Sequence, residues 1–174
     1  MSRTVAACPH CVEPSEGPLV CERCGWRWYA NPKPAAGTVV EWMPPGASGP
    51  SVLLLCRDVD PGRGGWDLPA GYLDPHESPE QAAVRETREE AGLDVELVRL
   101  IGVYTSRRGN AVSTVYVARP RDAHPVVQLD HESSAHAWVA RHEVADWVKR
   151  MAFPSMATAL TDWADGRSGE PRTW

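Results

Sequence analysis

Ser78-Pro79-Glu80-Gln81, closed by Gly92, limits what this chain can fold into more than any other segment. Serine is a good N-cap, proline suits the first helical turn, Gln81 stands at the capping-box position and glycine stops a helix. The pattern predicts a helix over 79–91. At 3.6 residues per turn, Glu86, Glu89 and Glu90 fall within about 100° of one another, while Ala83, Val84, Thr87 and Ala91 form the opposite face. One side must pack on something apolar; the other gathers three carboxylates. Like charges at this spacing repel by a few tenths of a kcal/mol per pair. A hard divalent cation, which prefers carboxylate oxygens and water, removes that cost. Arg85, four residues before Glu89, can hold that carboxylate in place. The alternative is a solvated charged face with ordinary ion pairs.

Around this helix the chain reads as alternating strands and helices. Residues 1–30 hold four of the five cysteines and almost no aliphatic run, and aliphatic strand patterns begin only at Gly37-Thr38-Val39-Val40. Asn31-Pro32-Lys33-Pro34 is expected to be a short stiff linker, because each proline forces extended backbone before it. Val52 to Leu55 reads as a buried strand, Val112 to Val117 as a half-buried one and Ala135 to Ala140 as a last strand. Arg141 to Met151 and Ser155 to Asp165 read as two short helices. Residues 43–50 and 60–65 are too rich in turn formers for anything but loops.

Written with its surroundings, the helix becomes Gly71, five residues, Glu77, seven residues, then Arg85-Glu86-Thr87-Arg88-Glu89-Glu90-Ala91-Gly92-Leu93. This resembles the Nudix box, G-x5-E-x7-R-E-U-x-E-E-x-G-U with U aliphatic, at every position except Thr87. So many fixed matches arise by chance in roughly one chain per million or fewer. The resemblance implies an α/β/α sandwich around a mixed sheet over about residues 35–165, with a Nudix domain at 35–174 and its box at 71–93. It implies a hydrolase using Mg2+ or Mn2+. It assigns Glu86, Glu89 and Glu90 as metal ligands, a backbone carbonyl at Ala70 or Gly71 as a further ligand, and Arg85 and Glu77 as supporting residues. Family members often add a carboxylate just before the last strand, where Glu132 stands as a ligand or base.

Cys8-Pro9-His10-Cys11 and Cys21-Glu22-Arg23-Cys24 give two C-x2-C pairs nine residues apart. Four thiolates on two turns can close a tetrahedral Zn2+ shell, which makes a structural site; an iron centre or disulfides are the other readings. His10 is left out because Cys8, Cys11, Cys21 and Cys24 already fill the shell. Cys56, at the end of an apolar strand, reads as a small core residue. A ribbon at 1–30 followed by a Nudix domain resembles the zinc-ribbon Nudix proteins, among them NADH, FAD and ADP-ribose pyrophosphatases. The Ser-Gln-Pro-Trp-Pro-Phe-Pro signature of the NADH enzymes is missing. In its place stands Tyr104-Thr105-Ser106-Arg107-Arg108, whose arginines can grip a phosphate or a terminal ribose. Trp66, Tyr72 and Tyr104 flank the site and either stack on a base or fill core.

The net charge of −5 argues against a nucleic-acid-tracking surface. No stretch approaches the roughly 20 apolar residues that span a bilayer, and Met1-Ser2-Arg3-Thr4 lacks the apolar run of a secretory signal, so a cytoplasmic chain with no membrane partner is expected. Its partner is a small nucleotide substrate. Candidate reactions are cleavage of a nucleoside diphosphate linked to a second group (ADP-ribose, FAD or NADH) or of a nucleoside triphosphate; a binding protein that only senses such a ligand is the rival class. A ribbon of about 30 residues has little core, and packing on a second copy as a homodimer would add to it. Replacing both Cys21 and Cys24 is expected to release bound zinc and lower thermal stability more than it changes any chemistry. Stoichiometric zinc retained in that double variant, by elemental analysis, would count against the ribbon.

Overall fold

Pairs of adjacent apolar residues, Val39-Val40, Val52 to Leu55 and Val117-Ala118, recur along the strand segments, and a strand with that pattern can be buried on both faces. The computed structural model describes residues 19–20, 23–29, 31–105 and 111–169 and shows this arrangement. Contacts divide the chain into two units, 1–32 and 33–174. In the first, β1 (Leu19–Val20) and β2 (Arg27–Trp28) pair antiparallel. Cys24 lies exposed between them, whereas Cys8, Cys11 and Cys21 fall outside the described residues.

The second unit runs β3 (Lys33–Trp42), β4 (Ser51–Arg57), β5 (Trp66–Asp67), β6 (Ala70–Tyr72), α1 (Pro79–Ala91), β7 (Val95–Thr105), β8 (Ala111–Pro120), β9 (Ser133–Ala140), α2 (Val144–Trp147) and α3 (Pro154–Ala164). The strands order β5-β4-β3-β8-β7, with β6 added to β3 and β9 to β4. The central β3–β8 pair is parallel and the others are antiparallel, so the sheet is mixed. Val39, Val52, Leu54, Val115, Val117 and Val139 pack against Val144, Met156, Leu160 and Trp163 of α2 and α3. Their neighbours Val40, Leu53, Leu55 and Ala118 pack with Ala91 and Leu93, and Ala36 and Tyr116 with Ala82 and Ala83. Helix α1 therefore covers one face, and α2 with α3 the other.

Three elements differ from the sequence reading. Lys33 and Pro34, expected in the linker, open β3, where Lys33 pairs with Ala111. The expected helix 141–151 is broken into 3-10 turns around the single turn of α2, because Ala152 donates to the Trp66 carbonyl and Met151 bridges to Trp66. Strand β7 carries no clean alternation. It is a sheet edge with bulges between Leu97 and Arg99 and between Leu100 and Gly102, and it exposes Val98, Leu100 and Val103. Residues 167–169 lie along it, with Gly169 N–H donating to the Ile101 carbonyl at 2.7 Å.

Helix α1 has the ends that its sequence predicts. The Ser78 hydroxyl accepts from Gln81 N–H, the Gln81 side chain accepts from Ser78 N–H, and Gly92 closes the helix at φ 68°. Its inner face holds a fully buried polar contact. Thr87 gives its hydroxyl proton to the Ala83 carbonyl at 2.7 Å, so the fully buried Thr38 of β3 must donate to the Thr87 oxygen, also at 2.7 Å. A threonine at the box's aliphatic position is thus matched by a hydroxyl across the interface. Thr87→Val, which strands the Thr38 hydroxyl in the core, is expected to cost about 1–3 kcal/mol by denaturant titration. The double change Thr38→Val/Thr87→Val should recover most of that loss. A double variant less stable than Thr87→Val alone would sink this account.

Candidate active site

The turn between β6 and α1 is tied to the helix by one side chain. Arg85 donates through Nε to Glu77 Oε1 at 2.9 Å and through Nη2 to Glu77 Oε2 at 2.8 Å, a bidentate fork. Its Nη2 also reaches the Tyr72 carbonyl at 3.1 Å, and Nη1 reaches Glu86 Oε1 at 2.7 Å and Glu89 Oε2 at 2.9 Å. All five guanidinium protons are used. Glu77 also accepts from Asp74 N–H, and the Arg85 bonds above all hold its carboxyl down at about 2.

Strand β6 brings backbone against this network. Gly71 lies so close to Glu86 that a Cβ there would collide with its carboxylate. One residue earlier, Ala70 N–H donates to Glu90 Oε2 at 3.0 Å. No cation pairs with Glu90 among the described residues. Desolvation, and then the charges of Glu86, Asp67 and Asp130, push its carboxyl up to about 9 despite the Ala70 bond. Glu86 is raised as well, chiefly by desolvation. Glu89 is the open member, with 57% of its side chain exposed.

Glu86 and Glu90 therefore face the β6 backbone, and Glu89 joins them through Arg85. Glu132 is not drawn in the same way: its backbone N–H donates to Asp130 Oδ1, its carbonyl accepts from Asp58, and its carboxylate has no ion pair among the described residues. The acids that do sense Glu90 are Asp67 and Asp130, which sequence reasoning missed. Asp130 N–H points at the Glu90 carbonyl at 3.4 Å and Gln128 N–H at the Ala91 carbonyl, which docks this loop on the end of α1. Asp67 is a lone charge in an apolar strand, the one sequence signal that could have marked it. Tyr104 is core, its hydroxyl donating to the buried Asp162 at 2.9 Å, and Arg107 and Arg108 lie outside the described residues. Trp66 packs edge-on against Trp147, while Tyr72 is 53% exposed.

No three His, Cys, Asp or Glu side chains among the described residues stand ready as a metal shell. The donor set nevertheless fits a hard cation. Mg2+ is held by one or two carboxylates, with water and phosphate oxygens completing an octahedron. Glu90 beside Glu86, Asp67 and Asp130 is a carboxylate group short of positive charge, and Glu86, Glu89 and Glu90 with the Ala70 or Gly71 carbonyl are the atoms that could hold the ion.

The profile of the NUDIX domain matches residues 32–161. The chain is 36% identical over 121 residues to a MutT-like protein of Streptomyces ambofaciens, covering 70% of this chain and 73% of that one. It is 33% identical over 96 residues to an ADP-ribose pyrophosphatase of Methanocaldococcus jannaschii, covering 53% of each chain. It is 38% identical over 92 residues to an 8-oxo-dGDP phosphatase of Homo sapiens, covering 52% of this chain and 28% of the relative. The chain thus spans about half or less of the two relatives named by substrate. Among solved structures, a NUDIX hydrolase from Nitrosomonas europaea superposes with a TM-score of 0.73 at 30% identity, covering 86% of this chain and 80% of that one.

Asp67 provides a test of the buried charge. Burial raises its carboxyl from 3.8 to about 7, against the opposing pull of Leu68 N–H and Arg57. The folded chain keeps this proton where the unfolded chain has lost it, so stability falls as pH rises from about 4 to 7. Asp67→Asn removes that slope. Between pH 5 and pH 8 the variant is expected to lose about 2 kcal/mol less than the parent in denaturant titrations. Parallel pH profiles would show that Asp67 is ionised in the fold.

Proposed function

The chain belongs to the Nudix family of hydrolases, and from that premise we propose that it cleaves a pyrophosphate bond in a nucleoside diphosphate linked to a second group, of the ADP-ribose, FAD or NADH type. The observation that carries the reading is the placement of Glu86 and Glu90 against the backbone of Gly71 and Ala70, with Arg85 as the cation fixed between Glu86 and Glu89. A bound Mg2+ or Mn2+ would neutralise the phosphate oxygens and bring a water towards ionisation near neutral pH. The protein's own part is position. Arg85, clamped by Glu77, sets the angle at which Glu86 and Glu89 present oxygens, and Ala70 N–H orients Glu90. A glutamate of this set takes the proton of the attacking water, with Glu132 as a further candidate for base or ligand. Gly71 keeps side-chain bulk off the approach to Glu86. Water then splits the anhydride into two phosphorylated fragments. Arg107 and Arg108 would hold a phosphate or the terminal ribose, and Tyr104, anchored on Asp162, fixes the end of β7.

A second reading, hydrolysis of a nucleoside triphosphate or diphosphate, is supported by the likeness to the human 8-oxo-dGDP phosphatase. Cys8, Cys11, Cys21 and Cys24 add a structural zinc ribbon to either reading, and the homodimer and cytoplasmic setting belong with it as proposals.

The test is a panel of ADP-ribose, NADH, FAD and nucleoside triphosphates with Mg2+ or Mn2+ and a coupled phosphatase to release phosphate. A linked diphosphate is expected to be turned over best, and Glu89→Gln or Glu90→Gln should lower that rate roughly 100-fold or more with the fold unchanged. Preference for a triphosphate selects the second reading. A wild-type chain inert on the whole panel makes it a ligand sensor, and full activity in both variants removes the carboxylates from the chemistry.

A further inference from the structure

Arg57 ends β4, and both its backbone and its side chain are fastened. Its N–H donates to the Gly65 carbonyl at 2.9 Å and its carbonyl accepts from Gly64 N–H at 2.8 Å, which closes the loop 58–65. Nε–H donates to the Pro61 carbonyl at 2.9 Å, and the guanidinium carbon lies 5.3 Å from the centre of the Phe153 ring. The loop is itself seated on Ala152, so closely that a Cβ on Gly62 or Gly65 would come within 2.9 Å of it. The guanidinium is thus fixed in place, yet among the described residues only the Nε proton is spent. Asp67 Oδ2 stands 4.0 Å from Nη1, too far for a hydrogen bond. Arg141 Nε is the one nitrogen or oxygen of a covered side chain that is buried without a partner among the described residues, so the Nη groups of Arg57 reach solvent.

Its neighbours put this cation at the acidic site. Asp67, beside Arg57, is one of the acids whose charge acts on Glu90. In the sheet Arg57 stands opposite Ser133, and the next residue, Asp58, donates to the Glu132 carbonyl at 2.7 Å. The same loop before β9 docks on α1, where Asp130 N–H points at the Glu90 carbonyl. The other arginines around the helix and these loops have their charges committed: Arg85 to Glu77, Glu86 and Glu89, Arg88 to Asp94, and Arg63 to Asp58. A diphosphate that reaches the site brings several negative oxygens, which the acidic cluster itself repels, and Arg57 is the guanidinium there with protons to spare among the described residues. We infer that Arg57 is a phosphate-binding residue of the site: its Nη groups grip a phosphate of the linked diphosphate as a fork, held at a fixed angle by Phe153 and the Pro61 carbonyl. A planar fork meets two oxygens of one phosphate at once, which the point charge of a lysine does not. The role rests on the proposed hydrolysis for its substrate class, but binding without turnover reveals it.

The probe is methylenediphosphonate, a diphosphate analogue whose P–C–P bridge water cannot cleave, titrated by calorimetry into the full chain at saturating Mg2+. Arg57→Met, which keeps the stem and loses the charge, is expected to weaken the probe about 10-fold or more. Arg57→Lys keeps the charge without the fork, and its affinity should fall between those of Arg57→Met and the parent. Mg2+ binding measured without the probe should not weaken in either variant, because Arg57 holds no ion. On a hydrolysed nucleotide, Arg57→Met should raise KM by a similar factor with little change in kcat. Equal weakening of Mg2+ and probe would make Arg57 a structural residue and overturn the assignment. So would unchanged probe binding in Arg57→Met, probe binding by Arg57→Lys equal to the parent's, or a parent chain that does not bind the probe. A parent chain that binds the probe through Arg57 but turns over nothing overturns the hydrolysis and leaves the phosphate site standing.

Discussion

The geometry of the site depends on one guanidinium. Arg85 makes two bonds to Glu77, one each to Glu86 and Glu89, and one to the Tyr72 backbone, and so joins three parts that the chain leaves separate: the turn before α1, the helix, and the end of β6. A lysine could satisfy one or two of these acceptors from a point charge; only a planar fork meets all of them at once. The fork also answers how the like charges on the helix are tolerated. Two of the three glutamates share Arg85, and the third, Glu90, is turned inward onto a backbone N–H, where it meets Asp67 and Asp130 and no cation among the described residues. Repulsion has been displaced from the helix surface to one desolvated carboxylate, which is where a cation gains most.

The sheet supplies the rigidity against which this arrangement is set. Strand β3 lies at its centre, parallel to β8 and antiparallel to β4 and β6, and touches α1 directly through Thr38. Displacement of α1 along its axis would break the Thr38–Thr87 contact, the Ala70–Glu90 bond and the Arg85 fork together. The loop from 128 to 130 adds a stop at the other end, because Gln128 and Asp130 donate to the last carbonyls of the helix and Gln128 packs against Gly92, where a Cβ would come within 2.8 Å.

What was legible in the sequence is what local rules decide. Helix α1 begins and ends where its cap residues say, Arg85 meets Glu89 as the four-residue spacing requires, and the buried strands lie where aliphatic runs fall. Strand β7 was missed because its two bulges shift the alternation and its edge position leaves three apolar side chains in water, so no period survives. The linker was misjudged at Lys33 and Pro34 because proline also suits the start of a strand. Asp130 was invisible for a different reason, and Asp67 was marked only as a lone charge among apolar residues: the importance of both lies in nearness to Glu90, which the fold sets and no local pattern shows. The mild departure at Thr87 was legible as a residue, but its partner, 49 positions away, was not.

The same irregularity that hid β7 also bears on how this edge of the sheet presents itself to another strand. An unpaired edge of 11 residues with Val98, Leu100 and Val103 in solvent would be a template for another strand. The bulges put its amides out of step with a straight partner, and Gly169 N–H occupies the carbonyl of Ile101, which stands within one of them. Shifted register and an occupied carbonyl make this edge a poor template for a further strand, while the side chains that face the core keep their places.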